Sequence, residues 1–197
     1  MDLEAAKALF VEYAQSLGFS LGYKDFEAEI ADFPGKYGRH RLQGARSVSD
    51  RYFDDFKIGE RFETAGMTLT EAGIIEFARQ WDPQPFHIDV EFSRSWTYGG
   101  LIASGLHTMC ASLRLWLELG VFKHCSLGSP GLGETKFPRP VRPGDTIRVI
   151  VDITDLLLSA SKPDRGLSRI RQVTVNQRGE PVMEQETMVF LKRRPAP

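Results

Sequence analysis

Apolar residues recur at helical spacing in some stretches and alternate at strand spacing in others, and their order predicts an α+β chain. In residues 2–18, Leu3, Ala6, Leu9, Phe10, Tyr13 and Leu17 form one apolar face, with Asp2 as a cap and Gly18 as a stop. The pattern breaks over residues 19–51, where Pro34-Gly35 and the basic run Arg39-His40-Arg41 predict a connector with little core of its own. A second unit begins near Tyr52. Phe53, Phe56 and Ile58 lead to Gly59, residues 61–69 have mixed strand character, and Thr70-Glu71 opens a helix carrying Ile74, Ile75, Phe77, Ala78 and Trp81. A loop over residues 82–87 follows, then a short helix over 89–96 and a small-residue turn over 98–105.

The next helix, residues 106–119, carries Leu106, Met109, Cys110, Leu113, Trp116, Leu117 and Leu119. It is apolar nearly all round and is expected to be buried. The remaining chain supplies strands to surround it. They are residues 135–138, the alternation Ile147, Val149, Val151 and Ile153 after the turn Arg142-Pro143-Gly144-Asp145, residues 167–175, and residues 181–191 beyond the turn Asn176-Gln177-Arg178-Gly179. The predicted architecture is an antiparallel sheet curled round one long central helix in a domain of residues 52–197. A helical extension and connector, residues 1–51, precede it, and Pro195-Ala196-Pro197 is expected to be a frayed tail.

Composition removes several classes of function. A chain of 197 residues, 42% hydrophobic and 26% charged, is long enough for a full core and unlike a disordered or fibrous protein. The formal charge of −1, with both signs interspersed, lacks the basic footprint of a nucleic-acid binder, so no nucleic-acid partner is expected. No apolar run approaches the roughly 20 residues that span a bilayer, and Met1-Asp2-Leu3-Glu4 lacks the basic and apolar regions of a signal peptide. The expectation is a cytoplasmic protein without a membrane partner. Cys110 and Cys125 have no metal-ligand spacing and read as ordinary reduced thiols.

Candidate chemistry lies in Trp81-Asp82-Pro83-Gln84-Pro85-Phe86-His87-Ile88-Asp89, where a carboxylate and an imidazole stand five positions apart across two prolines. The prolines hold φ near −65° and are expected to exclude helix there, leaving a stiff loop that aims both side chains one way. Such a pair suits general acid–base work on one water. The plainer alternative is that Asp82 caps a short helix and His87 is a satisfied loop histidine. A second element is Gly99-Gly100 with Ser104-Gly105 at the start of the long helix. Helix N-termini carry unpaired N–H groups, and Gly105 has no Cβ to keep a ligand oxygen from its amide. Equally, these glycines fit a tight turn and close packing.

The run from Phe77 to Asp89, followed by Gly99-Gly100-Leu101-Ile102-Ala103-Ser104-Gly105-Leu106-His107-Thr108, resembles the MaoC-like hotdog proteins, whose functional relatives include the (R)-specific enoyl-CoA hydratases. The resemblance continues through Lys136-Phe137-Pro138-Arg139-Pro140-Val141-Arg142-Pro143-Gly144-Asp145 and covers about residues 52–192. It implies a hotdog fold and a hydratase/dehydratase that adds water across a trans-2-enoyl thioester. It also implies the (R) isomer, no metal or organic cofactor beyond the coenzyme A of the substrate, and a homodimer or higher homo-oligomer.

In that family an Asp and a His five residues apart hold the water, which implies Asp82 and His87, and a glycine N–H binds the thioester oxygen, which implies Gly105. Gln84 and Ser104 stand where many relatives have Asn and His, and are candidates for substrate binding. Lys136, Arg139 and Arg142 are candidates for a coenzyme A phosphate, against the alternative of a solvated charge run. His107 reads as a satisfied core or interface histidine. Residues 4–38 resemble the opening segment of GNAT-type acetyltransferases, but no glycine-rich acetyl-CoA loop follows and no acetyl transfer is expected. Two alternatives to hydration are a hotdog acyl-CoA thioesterase and a non-catalytic acyl-thioester-binding protein. The thioesterase is disfavoured because Glu118, the only acid in residues 105–120, lies at the far end of the long helix.

Overall fold

The computed structural model describes residues 51–195. The expected helix over residues 2–18, the connector up to residue 50, the segment 4–38 and the last two residues of the tail lie outside the described residues.

A 3-10 turn, Phe53–Asp55, leads into strands β1 (Arg61–Glu63) and β2 (Met67–Thr68), which replace the single mixed stretch expected over 61–69. Helix α1 (Glu71–Trp81) starts where the sequence predicts, with Thr70 Oγ1 accepting the Gly73 N–H at 3.1 Å. Two short helices follow, α2 (Pro85–Ile88) and α3 (Val90–Ser95), before the long helix α4 (Gly105–Glu118). Strands β3 (Gly131–Lys136), β4 (Thr146–Leu158), β5 (Arg165–Val175) and β6 (Pro181–Lys192) complete the chain.

The strands form one antiparallel sheet in the order β1-β4-β5-β6-β3, with β2 pairing separately with β4. The alternation read from the sequence sets its inner face: Ile147, Val149, Val151 and Ile153 are all buried and continue into Ile170, Val182 and Leu191 on neighbouring strands. α4 lies against this face through Ala111, Leu115 and Trp116, and its Ser112 hydroxyl meets Thr174 Oγ1 of β5 at 2.8 Å. A curled sheet round a long helix is the hotdog fold. Among the described residues no helix is long and apolar enough to cross a membrane.

Three local expectations need correction. The 82–87 segment is not free of helix, because Pro85 is the first residue of α2, where a missing N–H costs nothing and a fixed φ assists. β3 runs through Gly131–Lys136 rather than 135–138, and it ends before Pro138, which cannot donate to the ladder with β6. α4 is not buried all round: Leu106, Leu113 and Leu117 are 47%, 50% and 63% exposed. One sheet covers only one side of a helix, so the apolar residues on its other side stay open.

Candidate active site

α1 delivers Asp82 as its C-cap, and Ala78 accepts the Asp82 backbone N–H at 2.9 Å. The Asp82 carboxylate does not cap the next helix, whose N-cap is Gln84 with no side-chain cap bond. It accepts instead from two hydroxyl and amide donors: Ser104 Oγ to Oδ2 at 2.6 Å and Gln84 Nε2 to Oδ1 at 2.8 Å. Gln84 and Ser104 thus both brace the carboxylate. Burial acts to raise the Asp82 pKa, but these two hydrogen bonds and the field of His87 outweigh it and hold the carboxyl below the usual range.

His87 sits within α2 and is 4% exposed. Its Nδ1 lies 2.8 Å from the Ile102 carbonyl oxygen, which can only accept, so Nδ1 carries the proton. In the neutral ring the other nitrogen, Nε2, is then an acceptor, and it faces Asp82 Oδ2 at 3.5 Å. Five residues of sequence therefore become two convergent acceptors, one on each side of a short gap.

Ser104 joins this pair to α4. Its hydroxyl donates to Asp82 and also accepts the Leu106 N–H at 3.1 Å as the helix N-cap. Gly105 follows at the first helical position, among the amides that a helix leaves unpaired. The Phe137 ring lies so close that a Cβ on Gly105 would stand 3.0 Å from two ring carbons. A cleft of about 360 Å³ opens in front of Asp82, Ser104 and Gly105, walled by Leu106, Met109, Leu132, Thr135 and Phe137. Tertiary contacts alone bring in these wall residues. Phe137 stood in the family-like run without a role, and no spacing in the sequence joins Leu132 and Thr135 to Asp82.

Ser104→Ala is expected to act twice. Losing a donor to the charged form raises the Asp82 pKa, so the acidic limb of a pH–rate profile shifts to higher pH. Because Asp82 titrates lower in the folded state than in the unfolded chain, its contribution to stability is present above the unfolded value and lost as pH falls through the folded one. The variant reduces that contribution and removes a helix cap, worth about 1 kcal/mol in urea titrations near neutral pH.

The basic candidates are not drawn together at the cleft. Arg142 donates to the Tyr98 carbonyl at 2.6 Å, Arg139 donates to the Pro181 carbonyl at 3.3 Å, and Lys136 pairs with Glu134 at 3.1 Å. All three are exposed. His107, expected to be a satisfied histidine, stacks on Phe77 of α1 at 4.5 Å, but its Nδ1 is buried with no hydrogen-bond partner among the described residues, and burial lowers its pKa. Cys125 is buried and its thiol is pushed up to about 11, whereas Cys110 is exposed. Among the described residues no group of three or more His, Cys, Asp or Glu is placed to hold a metal.

Residues 55–174 match the family model described as MaoC like domain. The chain is 31% identical over 140 residues to the uncharacterized protein YdeM of Bacillus subtilis (strain 168), covering 71% of this chain and 98% of that one. It is 27% identical over 149 residues to a protein of Rhodospirillum rubrum named (R)-specific enoyl-CoA hydratase, covering 73% and 93%. The crystal structure of a MaoC-like dehydratase from Rhodospirillum rubrum superposes with a TM-score of 0.69 at 36% identity, covering 74% of this chain and 99% of that one.

Proposed function

The chain belongs to the MaoC like domain family, and from that premise we propose that it adds water reversibly across a trans-2-enoyl-CoA, or a related acyl thioester, to give the (R)-3-hydroxyacyl thioester. The observation that carries this reading is the pair of acceptors at 3.5 Å, Asp82 Oδ2 and His87 Nε2. A single water satisfies both by donating one hydrogen to each, which leaves an oxygen lone pair free to attack.

The steps balance on the chain's own groups. The water oxygen bonds to Cβ while Asp82 takes one of its protons and His87, anchored on the Ile102 carbonyl, holds the other. The π electrons of the alkene move toward the thioester oxygen, and the Gly105 N–H with the positive end of α4 stabilises that charge. The proton held by Asp82 then passes to Cα, completing addition of water. Run backward, the same groups dehydrate the hydroxyacyl thioester. Coenzyme A enters as part of the substrate, and no step calls on a metal or organic cofactor. Exposed Lys136, Arg139 and Arg142 are proposed to meet its phosphates at the surface, each by exchanging an intramolecular partner.

Hydrolysis of the thioester finds less support, since Glu118 is exposed at the far end of α4 and paired with Arg114 at 2.9 Å. The expected assembly is a homodimer, because among the described residues β3 is an edge strand that pairs only with β6, and its other side can meet a second copy. The test follows trans-2-enoyl-CoA substrates by enoyl absorbance and free thiol together. Loss of enoyl without thiol release supports hydration. Thiol release would move the reading to a thioesterase, and folded protein inactive on short and medium chains would overturn both.

A further inference from the structure

Beyond the catalytic cleft, a second cavity of about 500 Å³ lies between α4 and the inner face of β5 and β6. Met109 and Leu132 line both spaces, so the cleft and the cavity adjoin there. The cavity wall is largely apolar, which suits the acyl part of a thioester. Three buried polar side chains interrupt that wall: Gln172, Gln185 and Thr187. Gln172 and Gln185 are partners across the β5–β6 ladder, and Thr187 lies two residues along the same face.

Two of the three are already engaged. Gln185 donates to Thr135 Oγ1 at 2.8 Å and accepts from Thr187 at 3.3 Å. Gln172 differs. The residue is 4% exposed, yet among the described residues its side-chain amide makes no hydrogen bond, and its polar atoms are not among those fully enclosed by protein. The small surface it retains lines the cavity. A buried amide without a partner is costly, and nothing in the apolar packing of this wall requires one.

We propose that Gln172 recognises a neutral hydrogen-bonding group, a hydroxyl or carbonyl, carried on the acyl chain beyond its double bond. The substrate class is then a polar-substituted enoyl thioester rather than a plain alkyl one, and this rests on the hydratase reading above. A carboxylate suits the buried wall less well, because among the described residues the only charged one lining the cavity, Lys123, is exposed.

The test uses a length series of trans-2-enoyl-CoA substrates, each prepared with a terminal hydroxyl and with a terminal methyl group, and follows enoyl absorbance. At the length that reaches Gln172, the hydroxyl substrate is expected to exceed its methyl counterpart by about tenfold in kcat/KM. Gln172→Leu is expected to abolish or reverse that ratio. If that variant does not fold, Gln172→Met, of similar length, serves in its place. Methyl substrates hydrated at least as well at every length would overturn the proposal and leave the hydratase reading intact. So would a preference that survives Gln172→Leu, or a preference for carboxylate-ended chains that disappears in Lys123→Ala. No consumption of either series would overturn the hydratase reading and this one with it.

Discussion

Asp82→Asn is expected to lower kcat for enoyl hydration by about 10²–10⁴-fold, the range that a positioned general base supplies. The change is nearly isosteric and tests chemistry rather than packing. Ser104 and Gln84 both donate to the carboxylate. An Asn carbonyl can take one of these bonds, and the Ser104 hydroxyl can rotate to accept from the new amide, so the local network closes again. What an amide cannot do is take a proton from water. Stability in urea is therefore expected to change by only about 1 kcal/mol while turnover collapses. An Asp82→Asn enzyme that retains wild-type kcat would remove Asp82 from the reaction. His87→Ala is a less clean probe, because it also deprives the buried Ile102 carbonyl of its donor at 2.8 Å, a loss of about 1–3 kcal/mol in its own right.

The second large effect is expected at Gly105, where two substitutions separate the amide from the space around it. Proline is favoured at the first position of a helix, and Ser104 before it already has φ −58° and ψ 145°, the extended conformation that a following proline demands. Gly105→Pro thus preserves the helix start and deletes one N–H. Removing one oxyanion donor typically costs about 10²–10³ in kcat. Both Gly105→Pro and Gly105→Ala add a Cβ that presses on the Phe137 ring, which must yield by a few tenths of an ångström. Only the proline removes the donor. The expected result is a Gly105→Pro enzyme at least about tenfold slower in kcat than Gly105→Ala, with both folded by circular dichroism. Equal losses in the two would assign the effect to crowding of the cleft by Phe137.

Much of the fold is legible along the chain, and the reason differs by element. β4 alternates cleanly because one of its faces is buried, so period and burial agree at Ile147, Val149, Val151 and Ile153. α1 carries its own start signal in Thr70, which caps it. α2 is hidden in the sequence because proline reads as a helix breaker unless its place at the first helical position is known. β3 is hard to place from sequence because Gly131-Leu132-Gly133 has little strand character, and its ladder with β6 decides the matter.

The candidate site divides the same way. Residue types and order along the chain were enough to single out Asp82, His87 and Gly105, because a carboxylate and imidazole on a proline-stiffened segment, and a glycine starting a helix, are local patterns. Tertiary structure alone decided what those residues face. Ser104, twenty-two positions from Asp82, becomes its hydrogen-bond donor, the Ile102 carbonyl sets the protonated nitrogen of His87, and Phe137 covers Gly105. It also decided that one side of α4 stays open, and that Gln172 comes to line a cavity beside the candidate cleft. The physical reason is the range of the forces. Periodicity and capping act within a few residues and can be read from them, whereas a proton's position, a ring over an amide and an unpaired amide in a cavity wall depend on partners that only chain packing brings within bonding distance.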